Sequence, residues 1–282
     1  MRAILKKIEE NIFKTLMVAC TAVVFGCLIL IIVTIIRKGI GAINLDMLTK
    51  TPEGGYYLGK GGGVLNAIVG SCFLTLAATA TALAISLPVA LYLNVYSKKN
   101  SKLGAFIRLS LDILWGIPSV VYGAFGFTVM IFFGIKTSLL GGIITVSLFI
   151  LPIMARAMDE VIALVPAELL EASYSVGATR LETAVKVVIR QTLPGIVSAA
   201  LMASGRGIGD AASVIFTAGF SDRIPLSLFQ PVATLPLAIF FQLGTPFPEV
   251  QERAYASAFI LTVLILIISI AVRALASRFK KN

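Results

Sequence analysis

Six stretches of this chain are too long and too apolar to be ordinary elements of a soluble domain: residues 16–36, 64–96, 113–135, 137–155, 193–220 and 254–272. Apart from Arg206 and Asp210 in the fifth, none contains a charged residue. The hydrocarbon core of a bilayer is about 30 Å thick, and about 20 apolar residues in a helix cross it. No water is available there to satisfy a free N–H or C=O, so such runs must close their backbone bonds internally, as helices. Composition agrees: 13% of residues are charged, against about 25% in soluble domains. The fold class expected is an all-α integral membrane protein with about six transmembrane helices.

Charge then orients the spans. The net charge of +10 would suit nucleic acid if it formed one patch, but the basic residues cluster at span ends. Arg2, Lys6, Lys7 and Lys14 precede the first run, and Lys98, Lys99, Lys102 and Arg108 follow the second. Arg156, Arg180, Lys186 and Arg190 follow the fourth, and Arg273, Arg278, Lys280 and Lys281 close the chain. The alternate side carries fewer: Arg37, Lys38, Lys50, Lys60, Lys136, Arg223 and Arg253. Basic residues near span ends stay inside. Both termini and residues 156–192 are therefore expected in the cytoplasm of a multi-pass prokaryotic plasma (inner) membrane protein. Membrane lipid is the expected neighbour of the excess charge, and nucleic acid is not an expected partner.

Other chemistries find little support. There is no His, which removes the commonest metal ligand and general base, and no metal or catalytic site is expected. Cys20, Cys27 and Cys72 all sit inside apolar runs, where Cys behaves as a small hydrophobe. Gly61-Gly62-Gly63 lacks the Lys-Ser/Thr that completes a phosphate-cradling loop. Residues 16–36 are too long for a signal-peptide core, so retention as an anchor is expected. Residues 2–14 read as a basic amphipathic, interfacial start. Residues 224–248 are uncharged but hold Pro225, Pro231, Pro236, Pro246 and Pro248. Proline at that density breaks helices, and the freed backbone must face protein or the external surface.

Residues 156–192 form an unusually long polar connection. Leu169, Leu170, Tyr174 and Val176 precede Gly177, and Leu181, Ala184, Val185 and Val188 follow at helical spacing. Two helices around a glycine turn form an elbow suited to a cleft on another protein. Glu171 can offer it a charge, and Gly177 permits a tight turn or close backbone approach. The plainer alternative is an ordinary helical hairpin.

Glu171-Ala172-Ser173 with Gly177 resembles the E-A-A-x-x-x-G coupling motif of ABC importer permeases. The likeness extends to Leu151-Pro152, Val165-Pro166, Gly177-Ala178-Thr179-Arg180, Leu193-Pro194-Gly195, Gly116-Ile117-Pro118-Ser119 and Gly205-Arg206-Gly207-Ile208-Gly209-Asp210. In that order they resemble the PstA-type permease of the phosphate-specific ABC importer, from about Gly62 to the end of the sixth span. Two positions depart: Arg190 stands where the family has Pro, and Asp210 where it usually has Glu. The first departure implies that the second arm of the hairpin continues as helix before bending.

The resemblance implies a type I ABC importer permease architecture. Residues 1–63 would hold the interfacial segment, first helix and external loop, and residues 64–282 the permease core. Glu171, Ala172, Ser173, Gly177 and Arg180 would couple to a separate ATP-binding subunit. That subunit would use the ATP, and this chain would bind no cofactor and would not be an enzyme. A second related permease subunit would complete the pore, and an extracytoplasmic phosphate-binding protein would deliver the substrate.

Arg206, Asp210 and Ser119 are the expected substrate path. A charge at the bilayer centre costs about 2.5–3.5 kcal/mol on insertion scales, so it is kept for a polar partner or a wet route. Guanidinium is a fixed cationic fork that matches tetrahedral oxyanions. Asp210, four residues on, would temper Arg206 from the same helix face; a purely structural pair is the alternative. Gly205, Gly207 and Gly209 would allow close helix approach. At Pro118 a broken helix could bare backbone and the Ser119 hydroxyl to the path, or simply kink. Sulfate, molybdate and phosphonate permeases share the coupling loop. A secondary transporter would leave that loop unexplained, and a scaffold would leave Arg206 and Asp210 unexplained.

Overall fold

The computed structural model describes residues 2–53, 61–98 and 101–279. Lys60, Lys99, Lys280 and Lys281, used above for topology, lie outside the described residues. α1 (Arg2–Gly39) runs into a short 3-10 turn, Ile40–Ala42, followed by α2 (Leu45–Thr49). A two-residue antiparallel ladder joins β1 (Pro52–Glu53) to β2 (Gly61–Gly62). α3 (Leu65–Leu91) ends in a π-helical turn, Tyr92–Tyr96. Then come α4 (Lys102–Gly116), α5 (Ser119–Phe132) and α6 (Leu139–Ala163). α7 (Ala167–Ser175), α8 (Arg180–Glu182) and a π-helical stretch, Thr183–Val188, lead into α9 (Ile189–Ile208). α10 (Leu235–Leu243) and α11 (Pro248–Phe279) complete the chain.

Among the described residues, five helical stretches are long and apolar enough to cross a bilayer: Glu9–Ala42, Leu65–Tyr96, Leu139–Ala163, Arg180–Ile208 and Pro248–Ala274. α4 and α5 supply a sixth as a pair, bent by 99° at their junction. The expected six-span, all-helical membrane fold is therefore present, with three local differences. Residues 2–14 continue α1 rather than forming a separate interfacial helix. The third span is an elbow at Ile117-Pro118, because Pro118 has no N–H to continue the ladder. The fifth helix stops at Ile208, well short of residue 220.

α6 forms the centre, packed by α3, α4, α5 and α9. In lipid, helices associate through close packing and hydrogen bonds rather than apolar burial alone. α3 accordingly presents a stripe of small buried residues, Ala78, Ala82, Ser86 and Ala90, one turn apart. Ser147 Oγ on α6 donates to the Ala78 carbonyl at 3.3 Å, and Ser86 Oγ donates to the Leu151 carbonyl at 3.2 Å. α1 behaves differently: it packs on α11 and leaves most of its apolar side chains between Ile12 and Ile36 exposed, as a lipid-facing helix would.

The segment after Ile208 stays apolar without staying helical. Ser213, Val214, Thr217 and Ala218 are buried in turns, which is where irregular backbone is tolerated at membrane depth. Its carbonyls and those of residues 228–230 are used. The N–H groups of Ser138, Leu139 and Leu140 donate to Thr217, Gln230 and Leu228 at 2.8–2.9 Å. Gly141 N–H donates to Ser138 Oγ at 3.2 Å, so the donors that a helix start leaves open are filled. The proline-rich stretch folds in the same region. α10 has nine residues, about 14 Å of helix, too short to cross. It packs against α3 and α11, and Leu235 N–H donates to Ser71 Oγ at 2.8 Å.

Candidate functional site

The 156–192 connection divides between α6 and a helical hairpin. α6 runs on to Ala163, so Arg156 and Asp159 belong to that helix rather than to a loop. Leu164-Val165-Pro166 then turns the chain into α7. α7 closes in a Schellman turn: Ala178 N–H donates to the Ser173 carbonyl at 3.2 Å and Gly177 N–H to the Tyr174 carbonyl at 2.9 Å. Gly177 has φ +86°, the left-handed region that favours glycine at this position. A Cβ at Gly177 would meet no atom of the described residues within 4 Å. The tight-turn reading of Gly177 describes this chain, and any close backbone approach would have to come from a partner.

The second arm opens with a capping box. Glu182 N–H donates to Thr179 Oγ1 at 3.2 Å, and Thr179 N–H donates back to Glu182 Oε2 at 3.0 Å. Helix then continues unbroken through Arg190 to Ile208, as the missing proline implied. Ser173 Oγ lies 2.9 Å from Thr183 Oγ1 and ties the two arms, while Arg180 donates to the Tyr96 carbonyl at 3.4 Å. Thr183, Ala184 and Val188 face inward. Val176 (84% exposed) and Leu181 (63%) stand out at the tip with Val185. Glu171 and Ala172 are exposed on α7, and no described residue pairs with the Glu171 carboxylate.

Arg206 occupies the last turn of α9, where the negative end of the helix dipole favours a cation. It is exposed, and its guanidinium carbon lies 5.3 Å from the centre of the Phe149 ring, a cation–π distance. The same ring meets Tyr122 edge-on at 5.8 Å. Tyr122 Oη donates to the Leu114 carbonyl at 2.8 Å, across the α4–α5 elbow. Ser119 begins α5 one turn before Tyr122 and is half-buried. Arg206 and the elbow thus share one aromatic contact chain.

The expected Arg206–Asp210 pair is not formed among the described residues. α9 ends two residues before Asp210, so the i,i+4 geometry is lost. The Asp210 carboxylate instead accepts Ser213 N–H at 2.7 Å and starts the turns that follow. Of the three glycines, Gly207 makes the close approach: a Cβ there would lie 3.1 Å from Ile150 Cγ2 and 3.2 Å from Val146 Cγ1 of α6. Gly205 has open space, and Gly209 has only the Gly205 carbonyl near it.

Sequence reasoning missed a charged cluster at the other end of α6. The side chain of Asp159 is 2% exposed. Its Oδ2 accepts Arg108 Nε at 2.8 Å and Arg156 Nη1 at 2.8 Å, and its Oδ1 accepts Arg108 Nη2 at 2.9 Å and Asn94 Nδ2 at 2.8 Å. Arg156 Nε also donates to Asp112 Oδ1 at 2.8 Å. Three elements meet here: α4, α6 and the π-helical end of α3. The i,i+3 spacing of Arg156 and Asp159 was the readable signal, had α6 been carried past Ala155.

With the geometry in hand, three comparisons bear on this chain. Residues 82–281 match the family described as "Binding-protein-dependent transport system inner membrane component". The phosphate transport system permease protein PstA of Xylella fastidiosa is 33% identical over 267 residues, covering 93% of this chain and 91% of that protein. The PstA of Yersinia pestis is 31% identical, covering 94% and 90%. A probable ABC transporter permease protein of Bacillus subtilis, YqgI, is 27% identical and covers 98% of both chains. Among solved structures, a chain of the MetNI methionine ABC transporter in an inward-facing conformation superposes with a TM-score of 0.64. It is 20% identical and covers 77% of this chain and 95% of that one, a likeness of fold.

Proposed function

Since this chain belongs to the binding-protein-dependent transport system inner membrane components, and within them to the PstA-type permeases, we propose that it forms half the path of an ATP-driven inorganic phosphate importer. The observation that carries this reading is the hairpin: a capped, cross-tied elbow presenting Val176 and Leu181 to the outside. An apolar tip held this firmly has use only against another protein. In the proposal that protein is the ATP-binding subunit, which supplies the nucleotide chemistry. Glu171, Ala172, Ser173, Gly177 and Arg180 form or position the docking face. A second related permease completes the pore, and an extracytoplasmic binding protein delivers the anion.

Arg206 is the oxyanion group of the path. Its guanidinium is exposed and has no carboxylate partner among the described residues, so its charge is available to a passing phosphate. Ser119 stands at the elbow, and Asp210 braces the wall that follows α9. In this reading residues 64–282 are the permease core, and both termini and the hairpin are cytoplasmic. An impermeant thiol reagent should then label a cysteine at position 50 but not at position 180 in intact cells.

The test is reconstitution with all partners in liposomes. Radiolabelled phosphate should accumulate only when ATP is present on the hairpin side. ATP-dependent accumulation of sulfate, molybdate or a phosphonate in place of phosphate would keep the permease reading and replace the substrate. Accumulation without the ATPase would overturn both.

A further inference from the structure

We infer that Asp159 and its two arginines are a positioning clamp that carries movement of the hairpin to the α4–α5 elbow. The inference rests on the importer reading above and names the part of this chain that couples its two ends.

The placement of the cluster supports this. α6 continues from Asp159 to Ala163, and only Leu164-Val165-Pro166 separates it from α7. A push on the hairpin reaches the Asp159 end of α6 through its first arm, as it reaches α9 through its second. From there the clamp reaches α4 at two points one turn apart: Arg108 binds Asp159, and Asp112 binds Arg156. Two anchors at i and i+4 fix the rotation of α4 as well as its position. The Arg108 fork is bidentate, at 2.8 and 2.9 Å, which fixes direction as a single contact would not.

Among the described residues, α4 packs on α6 alone of the long helices. Its 15 residues bury only Gly104 and Leu111, while Leu103, Phe106, Leu109 and Ile113 are exposed. At its far end lies the 99° bend, where Tyr122 bonds back to Leu114 and meets the ring beneath Arg206. Hairpin, α6, clamp, α4 and elbow form one continuous mechanical line between the docking tip and the free guanidinium.

The variant Arg108→Ala/Asp112→Ala removes the donor and the acceptor that tie α4 to the cluster. It leaves Asp159 bonded to Arg156 and Asn94, so no buried charge is stranded. In the reconstituted complex, ATPase association and ATP turnover should stay at the wild-type level. Phosphate delivered per ATP hydrolysed should fall about tenfold, within the usual range of coupling between linked sites. Asp112→Glu with Arg108 intact should remain coupled. An unchanged phosphate-to-ATP ratio in the double variant would overturn the clamp as a transmitter. Parallel loss of ATPase association and uptake would also overturn it, leaving a packing element. A wild-type complex that moves no phosphate removes the importer premise, and the clamp with it. A coupled double variant in a complex whose wild type does move phosphate removes the clamp alone.

Discussion

Arg156 and Arg206 stand on neighbouring helices, α6 and α9, with opposite surroundings. Arg156 spends its guanidinium on carboxylates: Asp112 and Asp159 at 2.8 Å, with Glu160 at 3.7 Å. Arg206 faces the Phe149 ring and, among the described residues, no carboxylate. An arginine whose donors are filled holds helices together, and its charge is cancelled before any ligand arrives. One resting on an aromatic face keeps its donors directed outward and its charge uncancelled. Under the proposed function the difference would separate architecture from transport, although both residues read as intramembrane or near-membrane charges in the sequence.

The largest effect should come from the free arginine. Arg206→Ala should abolish phosphate uptake while the complex still assembles, measured as uptake alongside co-purification of the ATPase. Arg206→Lys should recover little, because a point charge does not reproduce the planar fork. Normal uptake by Arg206→Ala would make both arginines structural and erase the distinction.

The clamped site should respond in the reverse way, through stability first. Asp159→Ala leaves Arg108 without its carboxylate and deprives Arg156 of one of its partners. Both arginines keep some access to water (33% and 23% exposed), so the loss should be about 1.5–3 kcal/mol, that of hydrogen bonds to a charged group. Thermal unfolding of the purified complex should shift down markedly, and the amount inserted in membranes should drop. Unchanged unfolding would mean that water, which already reaches the Arg108 side chain (33% exposed), replaces the carboxylate at no cost.

The hairpin tests the connection between the two sites. Gly177→Val forces a branched side chain into φ +86°, a strain of about 1–3 kcal/mol, and Glu171→Lys reverses an exposed charge. Each should lower phosphate uptake and ATPase co-purification together, without changing insertion. Because the space around Gly177 is open in this chain, Gly177→Ala separates backbone strain from partner contact. If Ala fails as badly as Val, φ is the cause; a graded loss indicates a cleft that excludes volume.

Hydropathy made the spans legible because lipid selects apolar residues over about 20 positions, and the coupling motif made the hairpin legible around Gly177. Two features were hidden. Apolar composition does not report helix, so residues 209–220 read as span although they are non-helical, with Ser213, Val214, Thr217 and Ala218 buried in turns. The clamp was hidden by distance, since Arg108 and Asp159 are 51 positions apart. Neither is remarkable alone beside a membrane span. Pro118 announced a break, but its 99° angle depends on how α4 and α5 pack on α6. The placement of Arg206 in the final turn of its helix likewise required knowing that α9 ends at Ile208.

The smallest effect should come from the second aspartate. Asp210 resembles Asp159 in lying near an arginine in sequence, but its carboxylate accepts a backbone N–H, that of Ser213, at 2.7 Å. An asparagine side chain keeps an acceptor oxygen in the same place, so Asp210→Asn should leave assembly and uptake close to wild type. Asp210→Ala removes the acceptor and should cost about 1 kcal/mol, the usual loss for such a cap. That loss should appear as faster hydrogen exchange at Ser213 and in the turns after it, with a modest decrease in uptake. A severe transport defect in Asp210→Asn with normal assembly would show that the negative charge itself acts on the path. Asp210 would then belong with Arg206 functionally, despite the helix end that separates them.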